Sequence, residues 1–195
     1  MARSLSSWKF PTSLTIAEKE YGINSDYRAV IKVFTALNDY ELMNEDNYVQ
    51  CGVILSLFYE DYESIPLEKW QEALDLMKEF IDMGITEDSK NPRLMDWEQD
   101  APILIPSINK ILNTEIRAEK YIHWWTFLGA YMSIGESLFS NVIHIRSKKI
   151  KGKKLEKWEQ EFYKDNKSII DLNKRESRSS KEKEELRAYF GYKKK

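Results

Sequence analysis

The sequence predicts an all-α protein: a single helical domain with a short extended or hairpin N-terminal arm and a partly disordered, basic C-terminal tail. Glycine and proline are scarce, seven and five among 195 residues, whereas a sandwich or barrel needs a turn about every ten residues. Apolar residues recur at helical spacing through the middle of the chain. We place the arm at 1–24, the domain at 25–172 with a loop near 85–95, and the tail at 173–195.

The arm is predicted from an extended pattern rather than from helical spacing. Pro11 and the alternation around Leu14-Thr15-Ile16 and Tyr21-Gly22-Ile23 favour a short hairpin or an extended arm. The intervening Ala17-Glu18-Lys19-Glu20 contains no turn glycine, so both alternatives stay open.

Three helices are expected in the first half of the chain. The first begins at Ser25 or Asp26, because either side chain can cap a helix N-terminus. The second spans about residues 47–59, where apolar residues follow one stripe. The third has Pro66 in its first turn, where a missing N–H costs nothing, and Gly84 as its terminating residue.

The next helices carry the largest apolar surface. Asp100 is a predicted N-cap, and Pro106 should either kink the helix that follows or move its start to about Ile105. Asn113 is a plausible left-handed residue at its end. Residues Ala118 to Ile134 are apolar almost all round, which predicts a buried helix at the centre of the fold.

A further helix is predicted from Leu138 into the basic run 146–154. Beyond it lies a charged helix, broken at Asp165, with a narrow apolar seam that suits docking at an edge or pairing with a partner helix. The candidate partner-binding residues of this seam are Leu155, Trp158, Phe162 and Ile169. Residues 173–183 have no apolar anchor, so disorder is expected there.

The distribution of charge is strongly asymmetric. Residues 146–195 hold 18 Lys/Arg and 9 Asp/Glu, a net charge of +9, whereas residues 1–145 hold 12 and 23, a net charge of −11. Such polarity could favour nucleic acid or head-to-tail contact between copies. A solvated helix with a disordered tail explains the composition more simply, and we do not expect nucleic acid as a partner.

The sequence offers few routes to catalysis. It has two histidines, the single Cys51 and no glycine-rich phosphate loop. Asp96, Glu98, Asp100 and His123 could bind a divalent cation or act in acid–base chemistry. The favoured interpretation is structural: the carboxylates complement a helix N-terminus and pair with Arg or Lys, and the histidine is a core residue. We therefore expect no enzyme activity, metal or cofactor.

The sequence also indicates the cellular compartment in which the protein is expected to occur. No stretch approaches the roughly 20 apolar residues that a membrane span needs, and the first residues lack the apolar core of a signal peptide. Because the lone Cys51 cannot form an internal disulfide, a reducing, cytoplasmic setting fits.

Two segments together resemble the hallmark of a bacteriophage family, the gene-product-fifteen family of tailed phages and prophages of Gram-positive bacteria. Asp96-Trp97-Glu98-Gln99-Asp100-Ala101 alternates charge with an aromatic residue, and His123-Trp124-Trp125-Thr126-Phe127 follows a little over twenty residues later. Further matches to the family pattern are Tyr21, Asp26-Tyr27-Arg28 and Arg146. The resemblance covers roughly residues 10–172.

The chain departs from the family pattern at three places. It has no turn glycine near Ala17-Glu18, it has Pro106 where a helix former is usual, and Asn113 or Thr114 replaces a glycine. Residues beyond Leu172 have no counterpart in the match. These departures concern local geometry.

The resemblance implies a role in siphovirus tail assembly. Members of the family are encoded between the tail tube and tape-measure genes, which implies a mostly helical, non-enzymatic tail assembly chaperone. Such a protein would bind the tape-measure protein, the tail tube protein or both in the host bacterial cytoplasm, and would be absent from the finished particle. The alternative is a structural tail or connector component that stays in the particle.

Overall fold

The computed structural model describes residues 8–39, 42, 46–83 and 93–173. It is mostly helical with a short two-stranded hairpin near the N-terminus, which confirms the predicted helical class and selects the hairpin for the arm. The predicted helix end at Gly84, most of the predicted loop at 85–95 and residues 174–195 of the predicted tail lie outside the described residues.

The chain divides into two compact units, one within residues 1–86 and the other within 87–174. We call them the N-terminal and the C-terminal unit, and each is described by itself. The partition into an arm, one domain over 25–172 and a tail stays a prediction.

A tight antiparallel hairpin opens the N-terminal unit. Strands β1 (Ser13–Ile16) and β2 (Lys19–Gly22) pair with Leu14 opposite Tyr21. The two turn residues, Ala17 and Glu18, have φ of 46° and 70°. Positive φ at both positions is the conformation of a type I′ turn, which matches the twist of the strands but usually selects Asn and Gly.

Three helices follow the hairpin in the described part of the N-terminal unit: α1 (Tyr27–Leu37), α2 (Asn47–Phe58) and α3 (Trp70–Ile81). Asp26 caps α1, as predicted. A 3-10 turn over Leu67–Lys69 separates the predicted start at Pro66 from α3. The core of this unit contains buried side chains from the hairpin and from all three helices: Leu14, Ile16, Tyr21, Val30, Val33, Leu55, Phe58, Tyr59, Ala73, Met77 and Phe80.

The described residues of the C-terminal unit form five helices. They are α4 (Ala101–Leu112), α5 (Trp124–Met132), α6 (Leu138–Ile150), α7 (Lys157–Asp165) and α8 (Lys167–Ile170). The break between the last two falls at Asn166, as the sequence predicts for this region. Their core contains Ile103, Leu104, Ile108, Ile116, Trp124, Phe127, Phe139, Val142, Ile145 and Ile170.

Helix α4 corrects one of the two expectations for Pro106. The helix does not start at about Ile105; it begins at Ala101 and runs through Pro106 to Leu112. Pro102 lies in its first turn, where proline is tolerated. Asn113 ends the helix in the left-handed conformation, with φ 53° and ψ 36°, as predicted.

The predicted helix over 118–134 is shorter than expected, because α5 begins only at Trp124. Side-chain hydrogen bonds hold the backbone just before Ala118 in a turn. The Asn109 Oδ1 accepts the backbone N–H of Ile116 at 3.0 Å, and the Glu115 carboxylate accepts the N–H of Arg117 at 3.1 Å. Such local bonds compete with helix formation. Within the described ranges, no helix is long and apolar enough to cross a membrane.

Candidate functional site

A buried ion pair lies at the centre of the C-terminal unit. Nη1 of Arg146, on α6, is 2.6 Å from Oδ2 of Asp100, and Nη2 is 2.8 Å from Oδ1. The two side chains are 3% and 0% exposed. A planar guanidinium matches a carboxylate in this two-bond geometry, which fixes the orientation of both groups.

The remaining donors of Arg146 bind backbone carbonyls from two other segments. Nε donates to the carbonyl of Ile170 at 2.6 Å, Nη2 to that of Ile169 at 2.7 Å, and Nη1 to that of Leu94 at 3.0 Å. We call this group, with Asp100, the arginine node. It connects α6 to the start of α4, to α8 and to the segment preceding α4.

Asp100 occupies the N-cap position of α4, but its carboxylate does not cap the helix. This corrects the role expected from the sequence. The residue has helical backbone angles, and its Oδ2 accepts the N–H of Asp96 at 2.9 Å as well as the bond from Arg146 Nη1. The carboxylate therefore binds a charged donor from another helix and the backbone before α4, in place of the first N–H groups of α4.

Asp96 organises the turn before α4. Its Oδ1 accepts the N–H groups of Gln99 at 2.8 Å and Glu98 at 3.0 Å, and Oδ2 pairs with Arg93. Burial opposes ionisation of Asp96, but these N–H groups and the guanidinium outweigh burial and lower the pKa of the carboxyl. The structural interpretation of the acidic segment is therefore supported for Asp96 and Asp100, whereas Glu98 is exposed.

Gln99 joins the same turn to the end of the described chain. Its Nε2 donates to the carbonyl of Asp171 at 2.8 Å, and its Oε1 accepts the N–H of Asn173 at 2.9 Å. Because both ends of the amide are used, the segment after α8 lies against the start of α4.

The tryptophans of the two motifs meet in one aromatic cluster. The Trp97 ring lies 6.3 Å from the Trp124 and Phe127 rings and 6.1 Å from the Tyr131 ring, between centroids. Trp124 and Phe127 are stacked at 5.6 Å. Trp124, Trp125 and Phe127 are all buried, as expected for at least one of the two adjacent tryptophans. The two motifs therefore form one packed framework.

His123 is a core histidine, as the favoured interpretation holds. It is buried, and its Nδ1 accepts the N–H of Trp125 at 3.1 Å, so the imidazole caps the N-terminus of α5. In the part of the chain that the structure describes, no group of three or more His, Cys, Asp or Glu side chains could hold a metal ion.

The remaining motif residues, Asp26 and Arg28, lie in the N-terminal unit. The Asp26 carboxylate accepts the N–H of Arg28 at 2.9 Å and forms an ion pair with its Nη1 at 3.0 Å. The Arg28 guanidinium lies 4.6 Å from the centre of the Tyr27 ring. This Asp-aromatic-Arg motif therefore builds the first turn of α1.

The sequence did not indicate a second polar cluster, around Glu159. This fully buried carboxylate accepts from Lys148 at 2.5 Å and from the backbone N–H of Glu156 at 2.6 Å, and it lies 2.8 Å from Nε2 of His144. The Lys148 ammonium is the main cause that lowers the pKa of Glu159 to about 2. The Glu156-x-x-Glu159 capping box was the available sequence signal.

The candidate partner-binding seam is unevenly exposed. Leu155, Phe162 and Ile169 are half-buried, whereas 48% of Trp158 is exposed on α7. Whether these residues bind a partner stays a prediction.

The C-terminal unit is thus a helical framework in which the ion pairs of two buried carboxylates, Asp100 with Arg146 and Glu159 with Lys148, hold helices to one another. The profile of the family described as Bacteriophage Gp15 protein matches residues 8–172. This chain belongs to that family, as its motifs predict, which makes a phage structural or tail-related role the coarse assignment. No curated protein and no solved structure gives a significant match.

Proposed function

We propose that this protein is a non-enzymatic tail assembly chaperone that binds the tape-measure protein. In this role the chaperone would need no cofactor. It would act in the cytoplasm of the host bacterium, before the tail tube closes around its partner. Family membership over residues 8–172 supports a phage role. The finer assignment rests on the physical needs of tail assembly.

A tape-measure protein is expected to be a very long helical chain with apolar stripes. Exposed apolar stripes aggregate in water unless another surface covers them. Several copies of a small helical protein could cover these stripes until tail tube subunits displace them. An amphipathic helix that meets an apolar strip on a second protein is a common mode of recognition.

The observation that carries this proposal is a contrast within the C-terminal unit. The polar motif residues are used inside the fold, whereas one large aromatic residue is exposed on its surface. Asp100 and Arg146 bind each other, and Arg146 also donates to backbone carbonyls, so these motif residues support the fold. Trp158 instead presents about half of its side chain to solvent on α7, between the half-buried Leu155 and Phe162. Tryptophan is strongly enriched among residues that dominate binding energy.

Co-expression with the tape-measure protein of the same phage tests the proposal. We expect the tape-measure protein to become soluble and to co-purify with several copies of this chain. Trp158→Ala should reduce the recovered complex. Met132→Ala is the matched control, because Met132 is also a large exposed apolar side chain of the C-terminal unit, at 62% exposure, and should leave recovery unchanged.

Two results would overturn the chaperone proposal. One is a tape-measure protein whose solubility and recovery do not depend on this chain. The other is detection of the chain at stoichiometric levels in purified phage tails, which would establish the alternative role of a structural tail or connector component.

A further inference from the structure

The α6–α7 connection carries a set of lysines without an ion-pair partner among the described residues. Lys148 and Lys149, in the last turn of α6, pair with Glu159 and Asp171. The following four lysines are exposed and form no such pair: Lys151, Lys153, Lys154 and Lys157. We call residues 151–157 the basic connection.

The α2–α3 connection in the N-terminal unit carries the opposite charge. Four exposed carboxylates occur there without an intervening Lys or Arg: Glu60, Asp61, Glu63 and Glu68. None of them forms an ion pair within the described ranges. Lys69, which follows, pairs with Glu72 at 3.2 Å. We call residues 60–68 the acidic connection.

Each connection also has a large apolar side chain at its edge. Ile150 and Trp158, which flank the basic connection, are each 48% exposed, and Leu67 within the acidic connection is 60% exposed. Protein interfaces commonly combine an apolar centre with a charged rim. The two connections are therefore complementary in both charge and apolar content.

We propose that the acidic connection of one copy binds the basic connection of a second copy. The occupant of each surface is thus this same chain, whose two connections carry opposite charge. Such contact is heterologous, because two different surfaces meet. Repetition of a heterologous contact produces a ring when its rotation closes and a filament when it does not. Such association between copies requires no tape-measure protein.

Nucleic acid fits the basic connection less well than a second copy does. Helix α7 begins in this connection and presents exposed carboxylates beside the lysines, at Glu156, Glu161 and Asp165. These carboxylates would repel the phosphates of a nucleic acid, which are spaced continuously along its backbone. A protein partner carries separate carboxylates, which can contact the lysines and avoid the acidic groups of α7.

Charge reversal of the full chain tests the proposal. The basic-reversed variant carries Lys153→Glu, Lys154→Glu and Lys157→Glu. The acidic-reversed variant carries Asp61→Lys, Glu63→Lys and Glu68→Lys. Lys151 is retained because it follows α6 as its C-cap. Glu60 is retained because its carboxylate lies against the backbone at Gly22.

Light scattering with size exclusion then reports the mass. We expect the unchanged chain to associate at about 0.01 M salt, where the screening length is about 30 Å, and to dissociate at about 1 M, where it is about 3 Å. Each reversed variant alone should be monomeric. An equimolar mixture of the two should associate again, because the native acidic connection of one meets the native basic connection of the other.

Zero-length cross-linking of carboxylates to lysines gives a second measurement that needs no variant. With equal amounts of ¹⁴N- and ¹⁵N-labelled chain, links between the two connections should join a light peptide to a heavy one. Exclusively same-label links would overturn the proposal, as would a monomeric unchanged chain or unaltered association of either reversed variant. A chain that stays monomeric but shifts DNA through the basic connection would assign that surface to nucleic acid.

Discussion

Arg146 and Asp100 are 46 positions apart in the sequence, and their side chains meet through two hydrogen bonds in the interior of the C-terminal unit. The three carbonyls that also accept from Arg146 belong to segments before α4 and within α8. This one side chain therefore satisfies the polar groups of several segments that converge at the same buried place. A mutation here should affect the packing of α4, α6 and α8 together.

Removal of one partner of this pair should be strongly destabilising. Asp100→Asn or Arg146→Met leaves a buried charge without compensation, which we expect to cost about 3–5 kcal/mol in the free energy of unfolding. Urea denaturation followed by circular dichroism measures the loss. Arg117→Met is the control, since Arg117 pairs with Glu115 at the surface, and should cost at most about 1 kcal/mol.

The double substitution Asp100→Leu with Arg146→Met separates charge pairing from packing. Replacement of both partners by apolar side chains should recover a large part of the stability that either single change removes. Asp100→Leu and Arg146→Met are therefore also measured singly, and strict additivity of these two losses in the double variant would contradict a direct pairing between the residues.

The histidine of the second motif should act through its hydrogen bond to the helix. His123→Ala removes the cap of α5 and the buried ring, so a loss of at least about 1 kcal/mol is expected. His123→Asn restores an acceptor close to the position of Nδ1 and should recover part of this loss. Thermal unfolding of the three proteins provides the comparison. An asparagine variant no more stable than the alanine variant would argue against capping.

Acid should weaken the contact that Glu159 makes. Its pKa is lowered from 4.5 to about 2 in the folded protein, chiefly by Lys148. A carboxyl with a depressed pKa stabilises the fold above its unfolded pKa, and this contribution disappears as the pH falls from about 4.5 towards 2. We therefore expect Glu159→Gln to be less stable than the unchanged chain at pH 7, with the two stabilities converging in acid.

Unfolding midpoints measured from pH 7 to pH 3 test this expectation. Glu115, whose pKa Arg117 also lowers to about 2, titrates in both proteins and cancels in the difference. Glu161→Gln is the matched control, because Glu161 is exposed on the same helix and forms no ion pair among the described residues. A constant offset between Glu159→Gln and the unchanged chain at every pH would be inconsistent with the titration of Glu159.

The hairpin turn should accept glycine with a gain in stability. Glu18 has φ of 70°, a left-handed conformation that costs a residue with a Cβ about 1 kcal/mol. Glu18→Gly removes this strain and should raise the free energy of unfolding by up to about 1 kcal/mol, reduced by the greater freedom of glycine in the unfolded chain. Glu18→Ala removes the carboxylate but keeps the Cβ, and should change little.

Calorimetry of these two variants distinguishes strain from charge. Equal shifts in the unfolding temperature would mean that loss of the Glu18 carboxylate, and not the backbone conformation, determines the effect. The Ala17 backbone N–H, which donates to Glu72 at 3.2 Å, is retained in both variants.

Local signals in the sequence predicted most element boundaries. Asp26 caps α1 and Asn113 ends α4, because each interaction involves residues within one or two turns of the helix. The start of α5 was wrong by six residues, because the helix is capped at His123 and Asn109 and Glu115 side chains bind the backbone N–H groups of Ile116 and Arg117 upstream of it. Apolar content alone does not reveal such competition.

The candidate site was only partly predictable. Its residues were identified by the family motifs, and the prediction that the acidic segment pairs with a basic side chain was correct for Asp100. The identity of the partner was not predictable, because Asp100 was expected to cap α4 and instead binds a guanidinium from α6. The Glu159 cluster was missed for the same reason, since Lys148 lies on a different helix.

The sequence by itself determined the helical class, an extended or hairpin arm, most caps, the charge polarity of the chain and its family. These properties depend on composition or on interactions between residues a few positions apart. The tertiary structure alone decided which side chains satisfy Asp100, Glu159 and the carbonyls around Arg146. Their partners are brought together by packing, and a buried polar group takes the donor or acceptor that packing places within reach.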